Sequence, residues 1–304
     1  MSAWTASNIP SQRGRTAIVT GTGGIGLETA AALAEAQAMV IIAGRDASKG
    51  ASAVAEVRSR VPGANVRFEV LDLANHRSIA AFGDRMLQQF TGIDLLINNA
   101  AVMNPPARQV TADGHELQFG TNYLGHFALT AALLPLLRRR SQARVVSLSS
   151  VAARDGRIDF ANLQSERGYQ PMTAYAQSKL ACLMFAFELQ RQSDRQEWGI
   201  TSVGAHPGIS RTELIPNGAG TGSLAGRARK YLWFLFQPAS QGAWPSLYAA
   251  TAPEALGGHY YGPDRLGETR GHPRSARVPP QALDREVAAR LWQESVRLTG
   301  ATFE

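Results

Sequence analysis

Thr16-Ala-Ile-Val-Thr-Gly-Thr-Gly-Gly-Ile-Gly-Leu-Glu-Thr-Ala-Ala-Ala-Leu-Ala-Glu-Ala-Gln37 decides the class of the fold. Thr16–Thr20 is short, apolar and rich in β-branched residues, the pattern of a buried strand. It runs straight into glycines, and Gly24–Gln37, dense in alanine and leucine, reads as a helix. A strand that turns through glycine into a helix is the first unit of a βαβ chain.

The same alternation continues to the end. Strands are expected at Met39–Ala43, Val66–Val70, Asp94–Ile97, Arg144–Leu148, Ile200–Ala205 and Gly258–Tyr261. Helices are expected at Ala47–Arg60, Ser78–Phe90, Gly114–Leu137, Thr173–Arg191, with Thr173 as cap, and Gln281–Leu298. The fold class is therefore α/β: a single-domain, doubly wound parallel sheet of about seven strands spanning 1–304. Two long segments break the rhythm, Ala152–Met172 and Ile209–Pro238. Both follow strands on the ligand-binding side of such sheets, so both are candidate pocket walls, with 209–238 as a substrate lid.

Bulk properties exclude other classes. A hydrophobic content of 44% with 18% charged residues is that of a soluble globular protein. No signal peptide and no apolar run of roughly 20 residues is visible, and Cys182 is alone. A cytoplasmic location is the expectation. The net charge of +7 comes almost wholly from scattered arginines, so a nucleic-acid partner is not expected. His115, His126 and His206 have no ligand spacing and no cysteine partners, so no metal is expected. No Gly-x-Ser-x-Gly elbow surrounds any serine.

Four motifs carry chemistry. In Thr20-Gly21-Thr22-Gly23-Gly24-Ile25-Gly26 the glycines admit a pyrophosphate to the backbone, and the helix start offers N–H donors. Gly44-Arg45 follows the second strand, where an arginine suits a ribose 2′-phosphate and an acid would suit a 2′-hydroxyl. NADP(H) is thus favoured over NAD(H); the alternative is an exposed arginine paired with Asp46. Tyr175 and Lys179 lie one helical turn apart, so an ammonium can stabilise a phenolate and draw its pKa down. Ser149 and Ser150 end the fifth strand, and one of them is a candidate donor to a substrate oxygen. Asn122 sits in the long helix, where composition alone gives it no role.

In this order, these residues resemble the short-chain dehydrogenase/reductase family over nearly the whole chain. The shared text is Thr20-Gly…Gly24-Ile-Gly26, Asp72-Leu73, Asn98-Asn-Ala-Ala101, Asn122, Ser150, Tyr175-x-x-x-Lys179 and Pro207-Gly-x-x-x-Thr212. Asn122-Tyr-Leu-Gly-His-Phe127, Asp159-Phe-Ala-Asn-Leu-Gln-Ser-Glu166 and Tyr260-Tyr-Gly-Pro263 resemble the retinol-dehydrogenase-like branch. Two positions depart from the family pattern: the glycine loop is one residue short, and Ala101 stands where glycine is usual.

The resemblance implies strand order 3-2-1-4-5-6-7 and interconversion of an alcohol with an aldehyde or ketone. Tyr175 would be the general acid/base, Lys179 would hold the nicotinamide ribose, and Ser150 would hydrogen-bond the substrate oxygen. Asn122 would kink its helix and anchor a relay water. Asp72, Leu73, Asn98, Asn99, Ala100, Pro207, Gly208 and Thr212 would border the cofactor. A homodimer or homotetramer through Gly114–Leu137 and Thr173–Arg191 is also implied. Tyr231–Phe236 and Trp244 suggest an apolar or aromatic small-molecule substrate, or ordinary core packing. Two rival readings are an NADP(H)-binding sensor or pseudoenzyme, and a peripheral membrane enzyme docked by Arg227, Arg229 and Lys230; a soluble lid is preferred to the second.

Overall fold

The computed structural model describes residues 3–210 and 237–303. Eight strands form one sheet in the order β3-β2-β1-β4-β5-β6-β7-β8. They are β1 (Thr16–Thr20), β2 (Met39–Gly44), β3 (Val66–Val70), β4 (Leu95–Asn98), β5 (Arg144–Leu148), β6 (Thr201–Ala205), β7 (Tyr260–Arg265) and β8 (Arg270–Ser275). β1 to β7 pair in parallel in the expected order. β8 was not expected: it pairs antiparallel with β7 at the sheet edge. Its text, Arg-Gly-His-Pro-Arg-Ser, has no apolar face, and an edge position tolerates the proline and the charges.

The helices are α1 (Gly24–Glu35), α2 (Ala47–Arg60), α3 (His76–Gln89), α4 (Gly125–Leu137), α5 (Pro171–Arg195), α6 (Ala239–Gly242), α7 (Trp244–Thr251) and α8 (Arg285–Thr299). One core, on the face of α3, α4, α5 and α8, gathers Ile18, Phe82, Phe127 and Leu183; the other, on the face of α1, α2 and α7, gathers Val19, Leu33, Ile42 and Leu247. Several expected helix starts moved. α5 begins at Pro171 rather than at a Thr173 cap, because proline presets the first helical φ and lacks an N–H to satisfy. The last helix begins after Asp284, whose carboxylate accepts from Val287 N–H at 3.0 Å. The helix expected from Gly114 also starts late: Glu116 first pairs with Val110 in a bridge.

One side of α4 and α5 is covered within the chain. Trp292 of α8 lies 5.0 Å from Phe127 and 5.9 Å from Phe185, ring to ring, and Phe303 lies 5.0 Å from Phe127. Tyr123 Oη and Ser295 Oγ share a 2.6 Å hydrogen bond.

Candidate active site

The glycine turn and the end of β4 are built into one another at the point where the strand order reverses. The Thr20 hydroxyl accepts from the N–H groups of Asn99 and Ala100, each at 2.9 Å. Asn99 Nδ2 donates to Thr20 O at 2.7 Å. That amide leaves no room for side chains: a Cβ would lie 2.9 Å from it at Gly21 and 2.6 Å at Gly26. Gly21 and Gly24 take left-handed φ values of +99° and +52°. These two reversals carry the chain into α1 over a loop one residue shorter than the family pattern. Gly23 caps α1 without a side-chain acceptor, and no acidic residue lies in the first turn, so these donors suit an anion. Gly23 is exposed, while Ile25 is half-buried against Gly242.

Thr22 packs over Gly44, where a Cβ would meet its methyl at 2.8 Å. Arg45 is exposed just beyond. Pairing with Asp46 does not occur: Asp46 caps α2, accepting from Ser48 and Lys49 N–H at 2.9 and 3.0 Å. Asp72 is also committed to a turn, accepting from Ala74 N–H at 3.0 Å, with Leu73 buried beside it. Asn98 turns toward α4, where Nδ2 donates to Thr130 Oγ1 at 3.1 Å. The structure therefore groups Asn99 and Ala100, but not the Asn98 side chain, with the glycine turn.

A π-helical turn, Phe119–Leu124, precedes α4 and contains Asn122. The wider turn lets the Asn122 amide pair with both backbone groups of Val102, at 2.7 and 2.9 Å, and donate to Ser178 Oγ at 3.0 Å. The Asn122 backbone carbonyl accepts from His126 Nδ1 at 2.8 Å and from Cys182 Sγ at 3.2 Å. Burial pushes the His126 pKa down to about 4, so the ring is neutral at physiological pH. With its proton on Nδ1, His126 Nε2 accepts from the Thr20 hydroxyl at 2.9 Å. No motif pointed to this link between the glycine turn and Asn122; its only sequence signal is the four-residue spacing from Asn122.

The two serines after β5 separate cleanly. Ser149 is buried and donates to Lys179 O at 2.7 Å, a structural role. Ser150 is half-exposed and caps a short turn at Val151–Asp155, its hydroxyl accepting from Ala152 N–H at 3.2 Å, and it lies close enough to the Tyr175 phenol to pull its pKa down. Lys179 Nζ donates to Leu148 O at 3.0 Å and sits 5.9 Å from the centre of the Tyr175 ring. The expected lowering of the tyrosine pKa is not present in this state. Burial pushes Tyr175 up to about 12 against the pull of Ser150, and burial lowers Lys179. Desolvation penalises the charged form of each group, and Lys179 is turned to the Leu148 carbonyl.

Residues 15–218, more than half of the chain, match the family model described as short chain dehydrogenase. The chain belongs to the short-chain dehydrogenase family. As a short-chain dehydrogenase it is an oxidoreductase. It is similar to mouse (Mus musculus) polyprenol dehydrogenase, 40% identical over 96% of this chain and 86% of that protein. Mouse retinol dehydrogenase 13 is 41% identical over 94% of this chain and 84% of its own. These relatives support the retinol-dehydrogenase-like branch. A solved structure of an uncharacterized protein from Mycobacterium paratuberculosis superposes with a TM-score of 0.81 at 36% identity, covering 100% of both chains.

In this short-chain dehydrogenase Pro207 and Gly208 follow β6 at the same end of the sheet. Gly208 has φ +65°, and a Cβ there would lie 2.3 Å from Thr269 O. Thr212, Arg227–Lys230 and Tyr231–Phe236 lie outside the described residues. The ends of that interval are described: Ser210 and Gln237 form a parallel bridge. Trp244 is a packing residue, stacked on His272 at 5.1 Å. The site reading missed Arg154, His206 and Glu268, which form a connected group beside Ser150; no motif spacing links them in the sequence.

Proposed function

We propose that the protein is an NADP(H)-dependent oxidoreductase that interconverts an alcohol and an aldehyde or ketone on an apolar substrate. One observation carries the proposal: Lys179 Nζ lies 5.9 Å from the centre of the Tyr175 ring, with Ser150 beside the phenol, at the carboxyl ends of the strands, where the glycine turn also lies. The glycine turn fits a dinucleotide, because the uncapped start of α1 offers N–H donors to a pyrophosphate and Gly23 keeps the approach open. Gly21, Gly23, Gly24, Ile25 and Gly26 would hold that end; Asp72, Leu73, Asn99 and Ala100 would border it. Arg45, exposed and outside any ion pair among the described residues, would meet the 2′-phosphate. When bound, the nicotinamide supplies or accepts the hydride.

The chain's own residues handle the proton. A phenol whose pKa burial raises to about 12 keeps its proton at neutral pH, so Tyr175 is poised to donate to a carbonyl oxygen. Ser150 Oγ and Tyr175 Oη together donate to the oxyanion as it develops. In the oxidising direction Tyr175 takes the alcohol proton, and the Lys179 ammonium favours the phenolate. Apolar substrates are supported by the names of two relatives, polyprenol and retinol dehydrogenases. A sensor without catalysis has no use for all three of Ser150, Tyr175 and Lys179. A homodimer or homotetramer is proposed with it, built on surfaces other than the side of α4 and α5 that α8 and Phe303 cover. Among the described residues no helix is long and apolar enough to cross a membrane.

Tyr175→Phe tests the reading. NADPH binding is expected to persist while carbonyl reduction falls by about 10²- to 10⁴-fold, the usual contribution of a positioned acid. A variant that turned over as fast as the parent would sink it.

A further inference from the structure

Glu268 lies in the turn between β7 and β8, far in sequence from Ser150, Tyr175 and Lys179, yet its carboxylate reaches two sides of the candidate site. Oε2 accepts from Arg154 Nη2 at 2.6 Å and from His206 Nε2 at 3.2 Å. Oε1 accepts from Arg277 N–H at 2.8 Å. Arg154 belongs to the short turn that Ser150 caps, and its other nitrogen donates to Gly267 O at 3.2 Å. His206 immediately precedes Pro207-Gly208, and its Nδ1 accepts from Gly208 N–H at 3.3 Å. That bond leaves the ring proton on Nε2, facing Glu268.

The group closes on itself. The Tyr260 ring lies 5.0 Å from His206, and Tyr260 Oη reaches Ser150 O at 3.5 Å. Packing leaves no slack: a Cβ at Gly262 would fall 1.9 Å from His206 Nε2. Ile209 N–H donates to Thr269 O at 2.8 Å, so the hairpin also holds the backbone after Gly208. Burial raises the cost of the Glu268 charge, but the His206 hydrogen bond, the Arg277 N–H and the nearby Arg154 outweigh it and hold its pKa at about 2. The carboxylate is ionised whenever the protein is folded at neutral pH.

A hairpin could be fastened to the body by apolar packing alone. An ionised hub that grips two separate turns does more: it fixes the spacing between them. We propose that Glu268 is a positioning residue, setting the Ser150 turn through Arg154 and the Pro207-Gly208 turn through His206. The inference rests on the oxidoreductase reading above, in which Ser150 meets the substrate oxygen and Pro207-Gly208 borders the cofactor. Misplacement of a reacting group by about 1 Å costs on the order of 100-fold in rate.

The test uses the full chain with Glu268→Ala, Glu268→Gln and Arg154→Met. With NADPH and an apolar aldehyde, Glu268→Ala is expected to lower kcat about 10- to 100-fold, with the NADPH Kd within about threefold of the parent. Glu268→Gln should recover most of the loss, because its carbonyl oxygen still accepts from both Arg154 and His206. Arg154→Met, which leaves the hairpin packing in place, should lose kcat in the same direction. Amide hydrogen exchange supplies a second readout: Ala152, Ala153, Gly208 and Ile209 should exchange faster in Glu268→Ala, and Gly21 should not. Unchanged kcat in both Glu268→Ala and Arg154→Met overturns the proposal, as does faster exchange confined to the hairpin. If the parent binds NADPH but reduces no carbonyl, the oxidoreductase reading fails instead; the exchange measurement then judges the tie alone, and loosening at both turns supports it.

Discussion

Replacing Lys179 by methionine removes a buried positive charge while keeping most of the side-chain volume. The Lys179 nitrogen lies 5.9 Å from the centre of the Tyr175 ring, over which a phenolate charge is partly spread. With an effective dielectric constant of about 20, that separation gives a coupling of about 3 kcal/mol. This is about two pKa units, or ~100-fold in the phenolate population at fixed pH. The sign follows from the charges: an ammonium favours the phenolate, so its loss raises a tyrosine pKa that burial already places at about 12. Alcohol oxidation needs the phenolate as base. In Lys179→Met its rate should fall by ~100-fold at a given pH, with the alkaline rise of kcat displaced upward. Reduction needs the protonated phenol and should lose much less. The limb belongs to the coupled pair rather than to either residue. The assay is NADPH formation at saturating alcohol and cofactor, followed from neutral to alkaline pH in parent and variant. A uniform fall with the limb unmoved would refute the electrostatic reasoning and leave Lys179 only a binding or structural role.

Arg45→Ala should weaken NADPH binding by about 10- to 100-fold, the worth of a charge-assisted contact, and leave NADH nearly unchanged in a fluorescence titration; equal losses would mean Arg45 does not read the phosphate. Gly26→Ala puts a Cβ 2.6 Å from Asn99 Nδ2 and 2.7 Å from Gly21 O, so it should lower Tm and weaken both dinucleotides; a variant that binds NADPH like the parent would show that the turn yields freely. Glu268 has a folded pKa of about 2 against an ordinary 4.5, so its stabilisation is complete above pH 4.5 and is lost as pH falls toward 2. Glu268→Gln should therefore show a flatter acid-unfolding curve than the parent across that window, and superimposable slopes would contradict the assigned shift.

The parallel sheet was readable because its central strands are buried on both faces and carry apolar runs, as Thr16–Thr20 and Met39–Ala43 do. β8 was not readable, because an edge strand satisfies half of its backbone against β7 and needs no apolar pattern. Helix starts were legible to within a few residues but depended on local competition. Pro171 overrode Thr173, and the Val110–Glu116 bridge delayed the helix expected from Gly114.

The candidate site divides in the same way. What the sequence determined by itself was everything written in short-range spacing: the glycine turn after β1, the one-turn separation of Tyr175 and Lys179, and the serine pair closing β5. Spacing within one helix or one turn is fixed by backbone geometry, so it can be read without a fold. Only the tertiary structure turned Asn98 away from the glycine turn, tied Thr20 to Asn122 through His126, and joined Arg154 to Glu268 and His206. It also set the pKa of Tyr175 against the sense expected from its neighbour. Burial and contacts between distant segments decide these outcomes, and both come into being only when the chain has packed.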